Sequence, residues 1–250
     1  MNTTNIDELS VNNSKVISFS NYSTFYFYIE ELIHLKNSFI FGYLNAYTFL
    51  YYSKKGKYDS IVFLPDGVAM HYALRFLFPK NYLLKKRIIS TDLWNGLLGY
   101  VMSKDMSCYF YGGSYSDKQS FKDKMKAKYP GLKIAGLTNG FEEINASHFN
   151  NLSVDILFLG RGTPKQEEWA QNNLEKLKIP IVILVGSAID YWSGEKKRAP
   201  VCMQKIGMEW LYRIYKEPSR LWRRYIIGIP VFIFKVIQYK FKLMLKNENT

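Results

Sequence analysis

Short apolar runs rich in β-branched and aromatic residues alternate with longer amphipathic stretches along most of this 250-residue chain, and this alternation constrains the fold more than any other feature. Strands joined by helix-length crossovers are expected to lie parallel, with helices covering the sheet. The spacing predicts strands near residues 38–43, 60–64, 86–89, 107–111, 132–135, 154–159 and 180–185, and helices over 68–78, 92–104, 116–128 and 163–177. Asp92 and Thr163 stand where N-caps belong. The expected class is α/β: a doubly wound, mostly parallel, Rossmann-like sheet in residues 15–195, after a flexible N-terminus of residues 1–14.

From Lys196 onward the pattern changes to basic, aromatic helix, with natural breaks at Pro218 and Pro230. The chain has 34 Lys and Arg against 21 Asp and Glu, and 13 of these basic residues but only three acidic ones fall within 196–250. About +10 of the net +13 is therefore concentrated in this segment, which is read as a helical appendage. The usual partners of such a charge are nucleic acid, anionic lipid or phosphorylated small molecules. Within the appendage, Arg223, Arg224, Lys235, Lys240 and Lys242 are interleaved with Trp222, Tyr225, Phe232, Phe234, Tyr239 and Phe241, and the longest uncharged run, 225–234, is too short to span a bilayer. This composition suits a helix lying among anionic lipid headgroups, the alternative being a core helix with solvated lysines. Nucleic acid is the poorer fit, because the charge adjoins an apolar run.

Cys108 and Cys202 form no close-spaced pair, so neither a disulfide framework nor a thiol metal site is indicated, and a reducing cytoplasm fits. The polar, acidic N-terminus is unlike an export signal. His34, His71 and His148 are isolated, and no His-x-x-x-His or Asp-x-Asp occurs, so no metal is expected.

In open parallel sheets ligands bind beyond the carboxyl ends of the strands. Asp66, in Pro65-Asp66-Gly67, follows an expected strand and could act as a general base, or could simply cap the next helix from a turn. Gly112 and Gly113 precede a helix and could cradle a phosphate on backbone N–H groups, or form an ordinary loop. The run from Gly160 to Glu167 lacks the third glycine of a dinucleotide fingerprint and the Gly-Lys-Ser/Thr of a P-loop, which counts against a Rossmann oxidoreductase. Within it Arg161 and Lys165 would bring cations to the edge and Gln166 an amide, unless they only furnish a well-capped helix. Asp190 and Arg198 flank a basic turn at the same edge. Arg213, Arg220, Arg223 and Arg224 have helical spacing. They could make a merely solvated face, or the fixed cations that a departing nucleotide diphosphate needs.

Taken together, Leu64-Pro65-Asp66-Gly67, the run from Gly160 to Glu167, Val185-Gly186 with Asp190, Ser193-Gly194, Lys197-Arg198-Ala199-Pro200 and the stretch from Gly207 to Arg213 resemble the WecG/TagA/CpsF glycosyltransferases. The resemblance runs from about Phe41, through Asn45-Ala46 and Thr91-Asp92-Leu93, to Tyr225. It implies an inverting transferase without metal or other cofactor, moving an N-acetylmannosamine-type sugar from UDP to a polyprenyl-diphosphate-linked saccharide. The setting implied is teichoic acid, common antigen or capsule synthesis on the inner face of the bacterial plasma membrane, with possible self-association. By resemblance Asp66 is the base, Gln166 lines the pocket and Arg213, Arg220 and Arg223 are the appendage arginines. Asn45, Gly112, Gly113, Arg161, Lys165, Asp190 and Arg198 complete the expected substrate-binding set. Tyr43 stands where the family commonly has a small hydroxyl residue, Ser187 replaces a Gly, and Arg161 is atypical. Another UDP-hexose, or an acidic donor sugar paired with Arg161, is the alternative.

Overall fold

The computed structural model describes residues 6–11, 14–35, 37–55, 58–84 and 87–248. In chain order its elements are β1 (Ile6–Val11), β2 (Ser14–Phe19), α1 (Tyr22–Ile33), β3 (Phe39–Leu44), α2 (Ala46–Lys55), β4 (Ile61–Pro65), α3 (Gly67–Leu77), α4 (Ser90–Ser103) and β5 (Ser107–Gly112). They continue with α5 (Lys118–Lys128), β6 (Lys133–Thr138), β7 (Ile156–Gly160), α6 (Lys165–Asn173), β8 (Ile181–Leu184), α7 (Ala188–Ser193), α8 (Val201–Lys205), α9 (Glu209–Lys216), α10 (Pro218–Trp222) and α11 (Gly228–Glu248). A π-helical turn, Arg223–Ile227, joins α10 to α11.

The strands form one sheet in the order β1-β2-β4-β3-β8-β7-β5-β6, parallel throughout except for the β1–β2 pair. The uninterrupted apolar sequences of β7 and β8 match their place at the centre, since every residue of both is buried and helices must cover both faces. Under α1 the core is aromatic: the Phe25 ring stacks on Phe19 at 5.3 Å and meets Phe41 edge-on at 5.5 Å. The chain leaves β3 towards β4 but reaches β8 from β7. The winding thus reverses beside the β3–β8 pair, where such folds open a crevice at the carboxyl edge. The expected α/β class is what the chain adopts.

The differences from expectation have physical reasons. Residues 1–5 lie outside the described residues, but 6–11 are not a flexible tail: Leu9 and Val11 alternate inward on edge strand β1. Of the strand expected at 86–89, Lys86 lies outside the described residues and 87–89 form no strand. The backbone there is bonded elsewhere, Ile88 accepting the Gly67 N–H at 3.3 Å and Ile89 donating to the Tyr22 hydroxyl at 3.3 Å. Asp92 is not an N-cap, because α4 already starts at Ser90 and Asp92 occupies its first turn. Thr163 is likewise one residue too early, since α6 starts at Lys165 after Pro164, and its hydroxyl instead donates to Glu167 at 2.9 Å.

In the appendage, α11 buries Phe232 and Val236 and sets the Phe232 ring edge-on to Phe49 of α2 at 5.3 Å. The Tyr239 hydroxyl donates to the Ser10 carbonyl at 3.1 Å. Its other side leaves Ile233, Phe234, Ile237 and Phe241 exposed. The helix is thus docked on the body and apolar outward, combining features of both readings of the tail. No described helix is long and apolar enough to cross a membrane.

Candidate active site

Because β3, β4, β8, β7 and β5 run parallel, their carboxyl ends bring Asn45, Asp66, Gly186, Arg161 and Gly113 to one edge. Asp66 begins α3 but makes no side-chain cap to that helix. Its Oδ1 instead accepts the N–H of Ser90, the first residue of α4, at 3.0 Å. Oδ2 has no hydrogen-bond partner among the described residues. The turn works because Gly67 takes φ +81°, a region costly for residues with a Cβ.

Asn45 caps α2, its Oδ1 accepting the N–H groups of Tyr47 at 3.0 Å and Thr48 at 3.1 Å. The same oxygen receives Nη2 of Arg224 at 3.3 Å, while that guanidinium lies over the Tyr47 ring at 4.4 Å. Of the appendage arginines, therefore, Arg224 is the one held at the carboxyl end of β3. Arg223 is exposed and lies over Trp222 at 5.2 Å, and Arg220 is exposed and paired with Glu217. The π-helical turn carries both Arg223 and Arg224; helical spacing sets Arg224 one turn from Arg220, and the resemblance points to Arg223.

Arg213 stands on α9 over the Tyr191 ring at 5.8 Å and bonds Glu209 at 2.9 Å. Burial disfavours its charge, but Tyr191, Glu209, Tyr225 and Asp66 outweigh that effect and hold its pKa above the ordinary arginine value. Arg198 is a tie: it bonds Asp92 of α4 at 2.5 Å and Glu209 of α9 at 3.3 Å. Two separately noted motifs, Thr91-Asp92-Leu93 and Lys197-Arg198-Ala199-Pro200, meet in that contact.

In the loop after β5 two of the backbone donors expected to cradle a phosphate are bonded within the protein. The Gly113 N–H donates to the Gly160 carbonyl at 3.0 Å and the Ser114 N–H to Asp190 at 3.0 Å, so both donors are already used. Gly112 is needed for close approach, because a Cβ there would lie 2.3 Å from the Gly160 carbonyl oxygen. Asp190 fastens this loop and also pairs with Lys196 at 3.5 Å.

Gln166 is fully buried rather than lining open space. Its Oε1 accepts the Gly186 N–H at 3.1 Å and its Nε2 donates to Glu167 at 3.1 Å, fixing the turn after β8. Beneath it Glu167, also buried, gathers the hydroxyls of Tyr52 at 2.7 Å and Thr163 at 2.9 Å on Oε1. Burial first, then the charge of Glu167, raises the Tyr52 pKa far above the usual phenol value. Sequence reasoning assigned Glu167 no role, although it closes the same motif. Tyr43 fills the space beside Gly186, where an added Cβ would lie 2.5 Å from its hydroxyl. Lys165 is exposed. Arg161 is stacked over Tyr111 at 5.2 Å and its Nη1 bonds Glu143 at 2.9 Å. Its charge is thus paired with an exposed carboxylate.

Among the described residues, no group of three or more His, Cys, Asp or Glu side chains could hold a metal ion. A parallel sheet that delivers a carboxylate, an amide and guanidinium groups to the carboxyl edge beside its reversal point defines an enzyme of the Rossmann-like α/β class. The chain belongs to the glycosyl transferase WecG/TagA/CpsF family, which it matches over residues 14–246. Relatives include the N-acetylglucosaminyldiphosphoundecaprenol N-acetyl-beta-D-mannosaminyltransferase of Bacillus subtilis, 30% identical over 75% of this chain and 70% of its own length. The enzymes of the same name from Bacillus spizizenii and Staphylococcus aureus are 27% and 26% identical, over 71% and 64% of this chain and 68% and 63% of their own lengths. It is therefore a glycosyltransferase.

Proposed function

We propose that this enzyme transfers N-acetylmannosamine, or a closely related hexose, from UDP to a polyprenyl-diphosphate-linked N-acetylglucosamine at a membrane surface, with inversion and without a metal ion. The observation that carries the reading is the placement of Asp66 after β4 and of Arg224, bonded to Asn45, after the neighbouring β3, with Arg213 over Tyr191 beyond β8 at the same edge. The names of the bacterial relatives support the sugar and the lipid-linked acceptor.

In this reading Asp66 Oδ2 accepts the proton of the acceptor hydroxyl as that oxygen attacks the anomeric carbon. Bond breaking leaves charge on the UDP oxygen, and Arg213 and Arg224 are the fixed cations that stabilise it. Gln166 and Glu167 act at one remove, by holding the turn beside Tyr43 and Gly186. The outward apolar side of α11, with Lys235 and Lys242 beside it, rests on anionic lipid and keeps the site near its acceptor.

The test is a donor screen with full-length protein, a polyprenyl-diphosphate-N-acetylglucosamine acceptor, and chelator in parallel reactions. Transfer from UDP-N-acetylmannosamine that survives chelation is expected. Transfer only from another UDP-hexose would change the sugar, and loss of activity on chelation would overturn the metal-independent step.

A further inference from the structure

A groove of 510 Å³ lies on the α3 side of Asp66, between α3, the 87–89 segment and α8. Val68 and Val201 both line it, while Arg87 and Lys205 bring positive charge to it. Arg87 donates to the Gln204 carbonyl at 2.6 Å, which fastens α8 across the groove. The one carboxylate lining it, Asp92, is already bonded to Arg198. The groove shares a wall with the proposed base, since Val68 lies two residues from Asp66 and Ile89 immediately precedes Ser90, the donor to Asp66.

The apolar surface does not stop at the groove. Val68, Tyr72 and Phe76 recur at every fourth position of α3, so they form one stripe along the helix. They are 37%, 64% and 52% exposed, unusual for three large apolar side chains in a row on one face. The far end reaches α11: Lys240 lies over the Phe76 ring at 5.5 Å and donates to the Leu77 carbonyl at 3.2 Å. Cations thus stand at the end near Asp66, and a continuous apolar track leads from them to the helix with the outward apolar face.

We infer that this groove and stripe bind the isoprenoid diphosphate portion of the acceptor, with the diphosphate beside Arg87 and Lys205 and the isoprenoid chain along Val68, Tyr72 and Phe76. The inference rests on the proposed lipid-linked acceptor and adds where that lipid lies. Charge complementarity selects this occupant: an amphiphile with an anionic head and a long apolar tail matches the Arg87 and Lys205 cations beside Asp66 and the apolar stripe leading from them, Lys240 at the far end being tied to the Leu77 carbonyl. A peptide or a second copy of the chain has no need of that polarity.

The test is equilibrium binding of geranyl, farnesyl and geranylgeranyl diphosphates, with the matching alcohols, to the full chain below their micelle concentrations. Affinity is expected to rise roughly tenfold from the shortest to the longest diphosphate, as buried apolar area grows. Tyr72→Ser with Phe76→Ser, both at exposed positions, flattens that rise to within about twofold. Lys205→Glu weakens all three diphosphates and leaves the alcohols unaffected. A chain-length dependence that persists in the double variant, or is absent from the unaltered protein, overturns the assignment. So does a double variant that keeps the dependence but loses flotation on anionic vesicles, because the stripe would then be resting on the bilayer. Sugar transfer is scored separately: binding as described without transfer to any lipid-linked sugar defeats the proposed function and leaves the groove standing. Transfer without this binding pattern does the reverse.

Discussion

Asp66 and Ser90 are 24 positions apart, yet Asp66 Oδ1 accepts the Ser90 N–H at 3.0 Å. The carboxylate that follows β4 is oriented by the first turn of α4, not by the helix it precedes. One oxygen is therefore fixed, and the other remains available for a proton.

Asp66→Asn keeps an oxygen for the Ser90 N–H but removes the basic one. Turnover should fall on the order of 10²-fold or more, with donor affinity retained. Single-turnover rates and donor binding measured side by side check this, and near-normal turnover removes Asp66 from its role.

Arg224 and Arg223 are adjacent in sequence but differ in surroundings, one over Tyr47 and bonded to Asn45, the other exposed over Trp222. Arg224→Ala should lower kcat/KM about 10²-fold, the scale of losing a fixed charge-stabilising group. Arg223→Ala should stay within about threefold, as expected of a solvated cation. Steady-state kinetics of both variants decide the ranking.

Gln166→Leu leaves the buried Gly186 N–H and the Glu167 carboxylate each short of a partner. The cost should be about 1–3 kcal/mol in urea unfolding. Gln166→Glu should cost more, because it sets a second buried carboxylate beside Glu167. Equal stability of both variants with the parent would show that this turn is not held by Gln166.

The exposed face of α11 can be separated from its buried one. Truncating the tail would uncover the core around Phe232 and Val236, so the informative change is Ile233→Ser with Phe234→Ser and Ile237→Ser. Flotation with anionic vesicles should drop at least about tenfold while the circular dichroism spectrum is preserved. Undiminished flotation would assign lipid contact to another surface.

His71 is buried, with Nδ1 3.0 Å from the Tyr82 hydroxyl, and burial, then Arg75 and Arg87, lower its pKa below the ordinary histidine value. Between that ordinary value and the lower folded one, the unfolded chain binds more protons. Stability from this residue is therefore present above the ordinary value and lost as pH falls, by at most about 1.4 kcal/mol per pH unit. Urea midpoints from about pH 7.5 to about pH 5 should show a shallower slope in His71→Asn.

Much of the fold was legible because its signals are local. Uninterrupted apolar runs such as 181–184 mark buried parallel strands, and amphipathic spacing marks the helices that cover them. Edge strand β1 was not expected because its sequence, with Asp7, Glu8 and Ser10, reads as polar, Glu8 and Ser10 facing water. The segment 87–89 has strand composition but spends its backbone bonds on Gly67 and Tyr22. No pattern within those three residues discloses that.

The sequence by itself determined the α/β class, the family, and which short motifs gather at the carboxyl edge, since parallel winding sends every strand end there. Only the tertiary structure decided what each residue does at that edge. The Gly113 and Ser114 donors are used internally, the Arg161 side chain is bonded to Glu143, Gln166 is sealed beneath the surface, and Arg224 is bonded to Asn45 while Arg223 lies over Trp222. The physical reason is that hydrogen bonds and ion pairs between distant segments settle where a polar side chain points, whereas periodicity fixes only the element that carries it.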